Sequence, residues 1–238
     1  MKKFWRVRDI GAQLTAALLV GALVSLLGTH PAHASTLKIT ATVSSIPIIN
    51  ITTIQGSLPI QNINGNIHAG SLVPSFLDGT PLPFLYCVDV LHDIYIPGSY
   101  STSVTFDGKV HGQPVSNAGQ VAWLLDQYAS SASSDPVKTA ALQAAIWEVM
   151  YGDQFKLNGP STLLTQEQVS VLTQEQVYLQ NVGTAPATNY AWLSPVNGTT
   201  LMQGFVTRVP EPSSTLLLAL ALFGLFGVGW WHLKRQQG

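Results

Sequence analysis

The stretch Ala140-Ala141-Leu142-Gln143-Ala144-Ala145-Ile146-Trp147 decides how this chain is read, because it sets one amide side chain inside an otherwise apolar helical stripe. At helical spacing Gln143 shares a face with Ala140, Trp147 and Met150, where a leucine is the ordinary occupant. A primary amide taken out of water there needs partners or a chemical role. The helix carries its own start and stop signals. Asp135-Pro136 reads as a side-chain cap followed by proline in the first turn, and Gly152 reads as the stop. Gln143 therefore falls mid-helix, where the backbone is most rigid.

Outward from that helix, the chain on the N-terminal side alternates with the period of strands. Residues 37–43 place Leu37, Ile39, Ala41 and Val43 on one face, and residues 46–54 are rich in β-branched side chains, with Pro47 at an irregular start. Residues 56–83 are dense in Gly, Pro, Asn and Asp, so they read as turns and loops around at most one short strand. Residues 84–90 form the next strand, with Phe84, Tyr86, Val88 and Val90 on one side and Leu85, Cys87 and Asp89 on the other. Pro97-Gly98 turns the chain into a strand at 100–106, which ends at Asp107-Gly108. Then the period changes. Ser116 or Asn117 caps a helix that carries Val121, Leu124, Leu125 and Tyr128 inward and ends in the polar run 130–134. An eight-residue near-repeat, Leu164-Thr165-Gln166-Glu167-Gln168-Val169 and Leu172-Thr173-Gln174-Glu175-Gln176-Val177, reads as a short duplication within a polar surface helix. Two units are too few for a solenoid. Residues 190–193 and 201–207 close the domain as strands. Strands, then helices, then strands argue an α+β class: a β-sandwich or barrel with a helical insert.

The two ends have a different composition. Residues 1–8 are basic, 14–27 are apolar, and Ala32-His33-Ala34 is a small-x-small cleavage site, so residues 1–34 read as a secretory signal peptide cut after Ala34. Residues 215–231 form a nearly unbroken apolar run followed by His232-Leu233-Lys234-Arg235. At about 1.5 Å per residue that run just reaches across a hydrocarbon layer of about 30 Å, and the basic tail places the C-terminus in the cytoplasm. Immediately before it stands Val209-Pro210-Glu211-Pro212, whose two prolines interrupt any helix and leave the peptide extended. The expected partition is thus 1–34, a surface domain at 35–207, and a sorting signal with its transmembrane helix at 208–238. Net charge is −1, with no basic cluster outside the termini, which excludes a nucleic-acid partner.

Val-Pro-Glu-Pro, an apolar helix and then Lys-Arg resemble the PEP-CTERM sorting signal of Gram-negative, biofilm-forming bacteria. The resemblance implies recognition by an exosortase. This membrane-embedded enzyme removes the anchor after a transient stay in the inner membrane and delivers the protein to the cell surface or extracellular matrix.

One cysteine in an exported chain has no internal disulfide partner. Cys87 is therefore a buried thiol, an intermolecular crosslinker, or chemistry. Set against Gln143, the chemistry is an internal thioester: the sulfur attacks the side-chain carbonyl, and ammonia leaves. Amides are poor electrophiles, so the pair must be held in contact with water excluded. Tyr86, Ile146 and Trp147 are the expected shield. The product is a masked electrophile that an amine opens, forming an amide bond to the Gln143 side chain and freeing the thiol. The plain alternative is a cysteine acting as a small hydrophobe and a glutamine bonded to a loop carbonyl.

Tyr86-Cys87-Val88-Asp89 and Gln143-Ala144-Ala145-Ile146-Trp147 resemble the two motifs of the Cys-Gln thioester domains of bacterial surface adhesins, and Ala122-Trp123-Leu124-Leu125-Asp126-Gln127-Tyr128 is similar to the helix between them. The resemblance implies Cys87 as thiol donor, Gln143 as acyl donor, and covalent attachment to an amine-bearing surface or matrix component. Leu142 departs from the pattern, since Gram-positive members commonly carry Thr before the glutamine. On this reading the protein is a single-turnover binder, not an enzyme, and needs no cofactor. The alternative is a non-covalent structural matrix protein of the same fold, with Cys87 free or paired between chains.

Other constellations carry less. Cys87, Asp89, His92 and Asp93 look like metal ligands in a row, but strand alternation sends His92 away from Cys87 and no second cysteine completes a zinc set, so no metal is expected. His68 and His111 are expected in solvent. Glu148 and Asp153 are expected as helix-surface charges, either of them near enough in sequence to polarise an attacking amine.

Overall fold

A computed structural model describes residues 34–42, 48–54, 63–157 and 165–208. The signal peptide, the sorting tetrapeptide Val209 to Pro212 and the C-terminal apolar run lie outside the described residues, except that Ala34 is described and exposed. Among the described residues no helix is long and apolar enough to cross a membrane.

The class is α+β. An antiparallel sheet curls into a half-barrel, and three helices pack with it. The sheet is built on β1 (Ser35–Ile39), which begins at the residue after the expected cleavage point and lies between two partners. Its side chains alternate as the sequence dictates: Leu37 and Ile39 are fully buried, while Thr36 and Lys38 face solvent. On one side it pairs with β4 (Ser75–Leu77), which turns back into β5 (Thr80–Pro81). On the other it pairs with β7 (Gly98–Thr105), and the order continues through β11 (Ala191–Asn197) and β13 (Phe205–Thr207) to β6 (Tyr86–Cys87). The short β12 (Thr200–Leu201) folds back on β11.

Two smaller sheets stand beside this one. β2 (Ile48–Ile54) pairs with β3 (Ile63–His68) and with β10 (Lys156–Leu157), and β8 (Lys109–Val110) makes a hairpin with β9 (Gln113–Pro114). The segment expected to hold at most one strand thus contributes to β3, β4 and β5. Asn64, Gly65 and Asn66 hid β3, because residues that disfavour strands sit in its middle and only pairing with β2 holds them extended.

The helices are α1 (Ala118–Ala132), α2 (Pro136–Tyr151) and α3 (Gln166–Leu179). Asp135 caps α2 as expected, its carboxylate accepting from the backbone of Val137 and Lys138 at 3.0 and 3.1 Å. Asn117 does not cap α1. It adopts a left-handed conformation, and its side-chain amide donates instead to the Val149 carbonyl at 2.6 Å, tying the start of α1 to the end of α2. Thr165 and Gln168 close a capping box on α3, so the first unit of the near-repeat starts that helix.

The stripe expected on α2 is in fact a whole circumference: all residues from Ala140 to Trp147 are buried. Four alanines in that stretch let α1 and α3 approach closely, while Leu142, Ile146 and Trp147 fill the core. Gln143 thus lies in the core at 1% exposure, and its amide must be satisfied from within.

Candidate functional site

β6 is two residues long because the chain turns immediately after Cys87. It is placed by β13, with Phe205 opposite Cys87 and Val206 opposite Tyr86, and the pairing continues as Val88 N–H donates to the Gly204 carbonyl at 2.9 Å. Gly204 is required there, since a Cβ would come within 2.2 Å of Val110 Cγ1. The end of β6 therefore sits on α2 at the level of its middle turns.

The structure brings Cys87 and Gln143 together. The backbone N–H of Cys87 donates to Gln143 Oε1 at 2.8 Å, and Gln143 Nε2 donates to the Cys87 carbonyl at 2.8 Å. The amide pairs with residue 87 as a second strand would, and both residues are buried, at 1% exposure for Gln143 and 5% for Cys87. This meets the need of an amide in the core without any covalent bond. It also polarises the side-chain carbonyl: the Cys87 N–H sits where negative charge on Oε1 develops when a nucleophile adds to the amide carbon.

Around the sulfur, the Asp89 backbone N–H lies 3.3 Å from Sγ. The Trp147 indole N–H is buried next to the sulfur and has no acceptor at ordinary hydrogen-bond geometry. Burial pushes the Cys87 thiol well above its usual range, the Asp89 charge adds to that, and the Asp89 and Trp147 N–H groups offset part of it. The thiol is therefore neutral in the resting fold. Tyr86 and Ile146 are fully buried and Trp147 nearly so. Phe155 packs on Trp147 with ring centroids 6.1 Å apart, and Phe84 on Tyr86 at 5.7 Å.

The expected straight strand through residue 90 is corrected. Beyond Cys87 the backbone bends, Asp89 Oδ1 accepts from Leu91 N–H at 3.1 Å, and Asp89 Oδ2 meets His92 Nδ1 at 2.6 Å. His111 is not in solvent either: its side chain is 8% exposed, Nε2 reaches the Met202 carbonyl at 2.7 Å, and the ring lies 5.7 Å from that of His92. The Asp89-x-x-His92 spacing was readable only as strand alternation until the turn was known. Among the described residues no group of three or more His, Cys, Asp or Glu could hold a metal ion.

Glu148 is also more than a surface charge. It faces Glu175 of α3, which is buried at 1% exposure, and burial together with the Glu148 carboxylate raises the Glu175 carboxyl to about 8.

One comparison with known proteins is decisive for the C-terminus. Residues 208–235 match the PEP-CTERM protein-sorting motif. The motif implies an exported protein that is anchored transiently in a membrane and processed by an exosortase. No curated protein and no solved structure matches the chain.

Proposed function

We propose that the folded body, residues 35–207, is a surface or matrix domain that attaches covalently to amines through an internal Cys87–Gln143 thioester once the exosortase has acted. The observation that carries this reading is the two-way pairing of the Gln143 amide with Cys87 at 2.8 Å, in a site closed to water. In the forming step the sulfur adds to the Gln143 side-chain carbon. The Cys87 N–H holds the oxygen, the thiol proton passes to the departing nitrogen, and ammonia leaves. Proximity substitutes for the thiol acidity that burial removes. The product reacts once, so the protein is a binder and not an enzyme. Its destination is the surface or matrix of a Gram-negative cell.

The second reading is a non-covalent matrix protein of the same fold. That reading gives the hydrogen bonds of Gln143 a purely structural role, and burial of Cys87 opposes its crosslinking variant, because a disulfide to another chain would require β6 to leave the core. Intact mass separates the two. A thioester leaves the mature protein lighter by one ammonia, Cys87→Ala shows the full mass of its own sequence, and a small amine adds its whole mass to the thioester form with release of a titratable thiol. Full mass with a thiol that titrates only on unfolding would overturn the covalent reading.

A further inference from the structure

We propose that Asp89 and His92 form a base dyad at the rim of the Cys87–Gln143 site, which takes the proton from the incoming nucleophile; this rests on the thioester reading. Asp89 joins the two places. Its backbone N–H lies against the Cys87 sulfur, and its carboxylate holds His92 Nδ1 at 2.6 Å. A carboxylate only accepts, so Nδ1 carries the proton and the lone pair is on Nε2. The Asp89 side chain is 14% exposed and that of His92 40%, so the dyad runs from the buried sulfur out to solvent. The imidazole is the more exposed member of the pair, and the Asp89 carboxylate links it to the residue whose N–H meets the sulfur.

The neighbours keep the dyad in this arrangement. His111, from the turn between β8 and β9, lies 3.9 Å from Asp89 Oδ2 through Nε2, but that nitrogen is engaged by the Met202 carbonyl at 2.7 Å. Tyr151 of α2 accepts from Val90 N–H through its hydroxyl at 3.3 Å. Asp93 is exposed, and its carbonyl accepts from Gln203 N–H at 3.1 Å, which fixes the loop against the segment before β13. Of these groups His92 alone combines a bare ring nitrogen with exposure.

The step balances. The amine nitrogen bonds to the Gln143 acyl carbon, the carbon–sulfur bond breaks, and the proton shed by nitrogen moves to His92 Nε2. The departing Cys87 thiolate, met by the Asp89 N–H, then takes a proton from the imidazolium to give the neutral thiol that burial favours.

The test uses mature protein and methoxyamine, an amine unprotonated across the range studied, with the rate of mass gain followed between about pH 5 and pH 8. The expected wild-type rate rises with pH across this range. His92→Ala and His92→Gln retain the ammonia-deficient mass but react on the order of 10²-fold more slowly with a flat profile, and added imidazole restores the rate to His92→Ala. Asp89→Asn, which removes the carboxylate that holds Nδ1, retains the ammonia-deficient mass and reacts more slowly. Wild-type rates and an unchanged profile in both His92 variants would overturn the dyad while leaving the thioester intact. Wild-type protein of full mass would instead remove the thioester, and the dyad's role with it.

Discussion

The Gln143 side chain and the Cys87 backbone pair with each other, one N–H to O bond in each direction, both 2.8 Å long. A protonated carboxylic acid can copy that pattern, but a carboxylate cannot, because it has no donor for the Cys87 carbonyl. In a Cys87→Ala background, where no bond between the side chains contributes, Gln143→Ala is expected to lose about 2–4 kcal/mol by urea denaturation, from two stranded backbone groups. Gln143→Glu should be nearly as stable as its parent at low pH. It should fall behind as pH rises above the ordinary carboxyl range of about 4.3, since burial raises the folded-state pKa and stability is lost as the group ionises. A deficit independent of pH would mean that the pairing contributes no donor.

The stretch around Gln143 was legible as a helix with its caps because Asp135-Pro136 and Gly152 are local signals. Its full burial was not, because four small alanines look amphipathic or neutral until the neighbouring helices are known. The strand holding Cys87 was legible in kind and wrong in length. Alternation continues through Val90 in the sequence, whereas the backbone turns after residue 87, where Asp89 caps the turn. β3 was invisible for the opposite reason, its strand character coming from a partner and not from Asn64, Gly65 or Asn66.

Glu175 makes stability depend on pH in a stated direction. The second unit of the near-repeat turns this glutamate into the interface of α3 with α2, whereas its counterpart Glu167 is exposed. Glu175 Oε1 has no hydrogen-bond partner, and the carboxyl is raised to about 8 by burial and by Glu148. The folded state therefore binds the proton more tightly than the unfolded chain. Stability is fully present below the ordinary glutamate value of about 4.3 and declines as pH rises toward about 8, by on the order of a few kcal/mol. Thermal melts across this window should show Tm falling for the wild type, and Glu175→Gln should flatten the slope and melt higher at the alkaline end. An equal slope in both proteins would assign the effect elsewhere.

Gly204 is a steric prediction next to the site. A methyl group there would stand 2.2 Å from Val110 Cγ1 and 3.4 Å from Asp89 Cβ. The first distance forces movement of a short β-branched side chain that has little room to yield. Gly204→Ala should cost about 1–3 kcal/mol, and Val110→Ala in the same chain should recover part of it. A double-mutant cycle gives the coupling, and strictly additive losses would mean that the clash is not with Val110.

The last described residue before the sorting tetrapeptide is held down. Arg208 Nη2 donates to Asp126 Oδ1 of α1 at 2.6 Å and to the Tyr190 hydroxyl at 3.2 Å, while Tyr190 donates to the same carboxylate oxygen at 2.6 Å and lies beneath the guanidinium at 5.3 Å. The Arg208 side chain is 53% exposed, so the ion pair is well screened and the three groups together contribute only about 1 kcal/mol. Its effect is local: it pins the end of β13 to a helix directly ahead of Val209. Asp126→Ala should therefore change the global melt little, yet open residues 205–208 to faster amide exchange and allow protease cuts to extend from the sorting segment into β13. Unchanged exchange at Phe205 to Thr207 would mean that pairing with β6 and β11 alone fixes the strand.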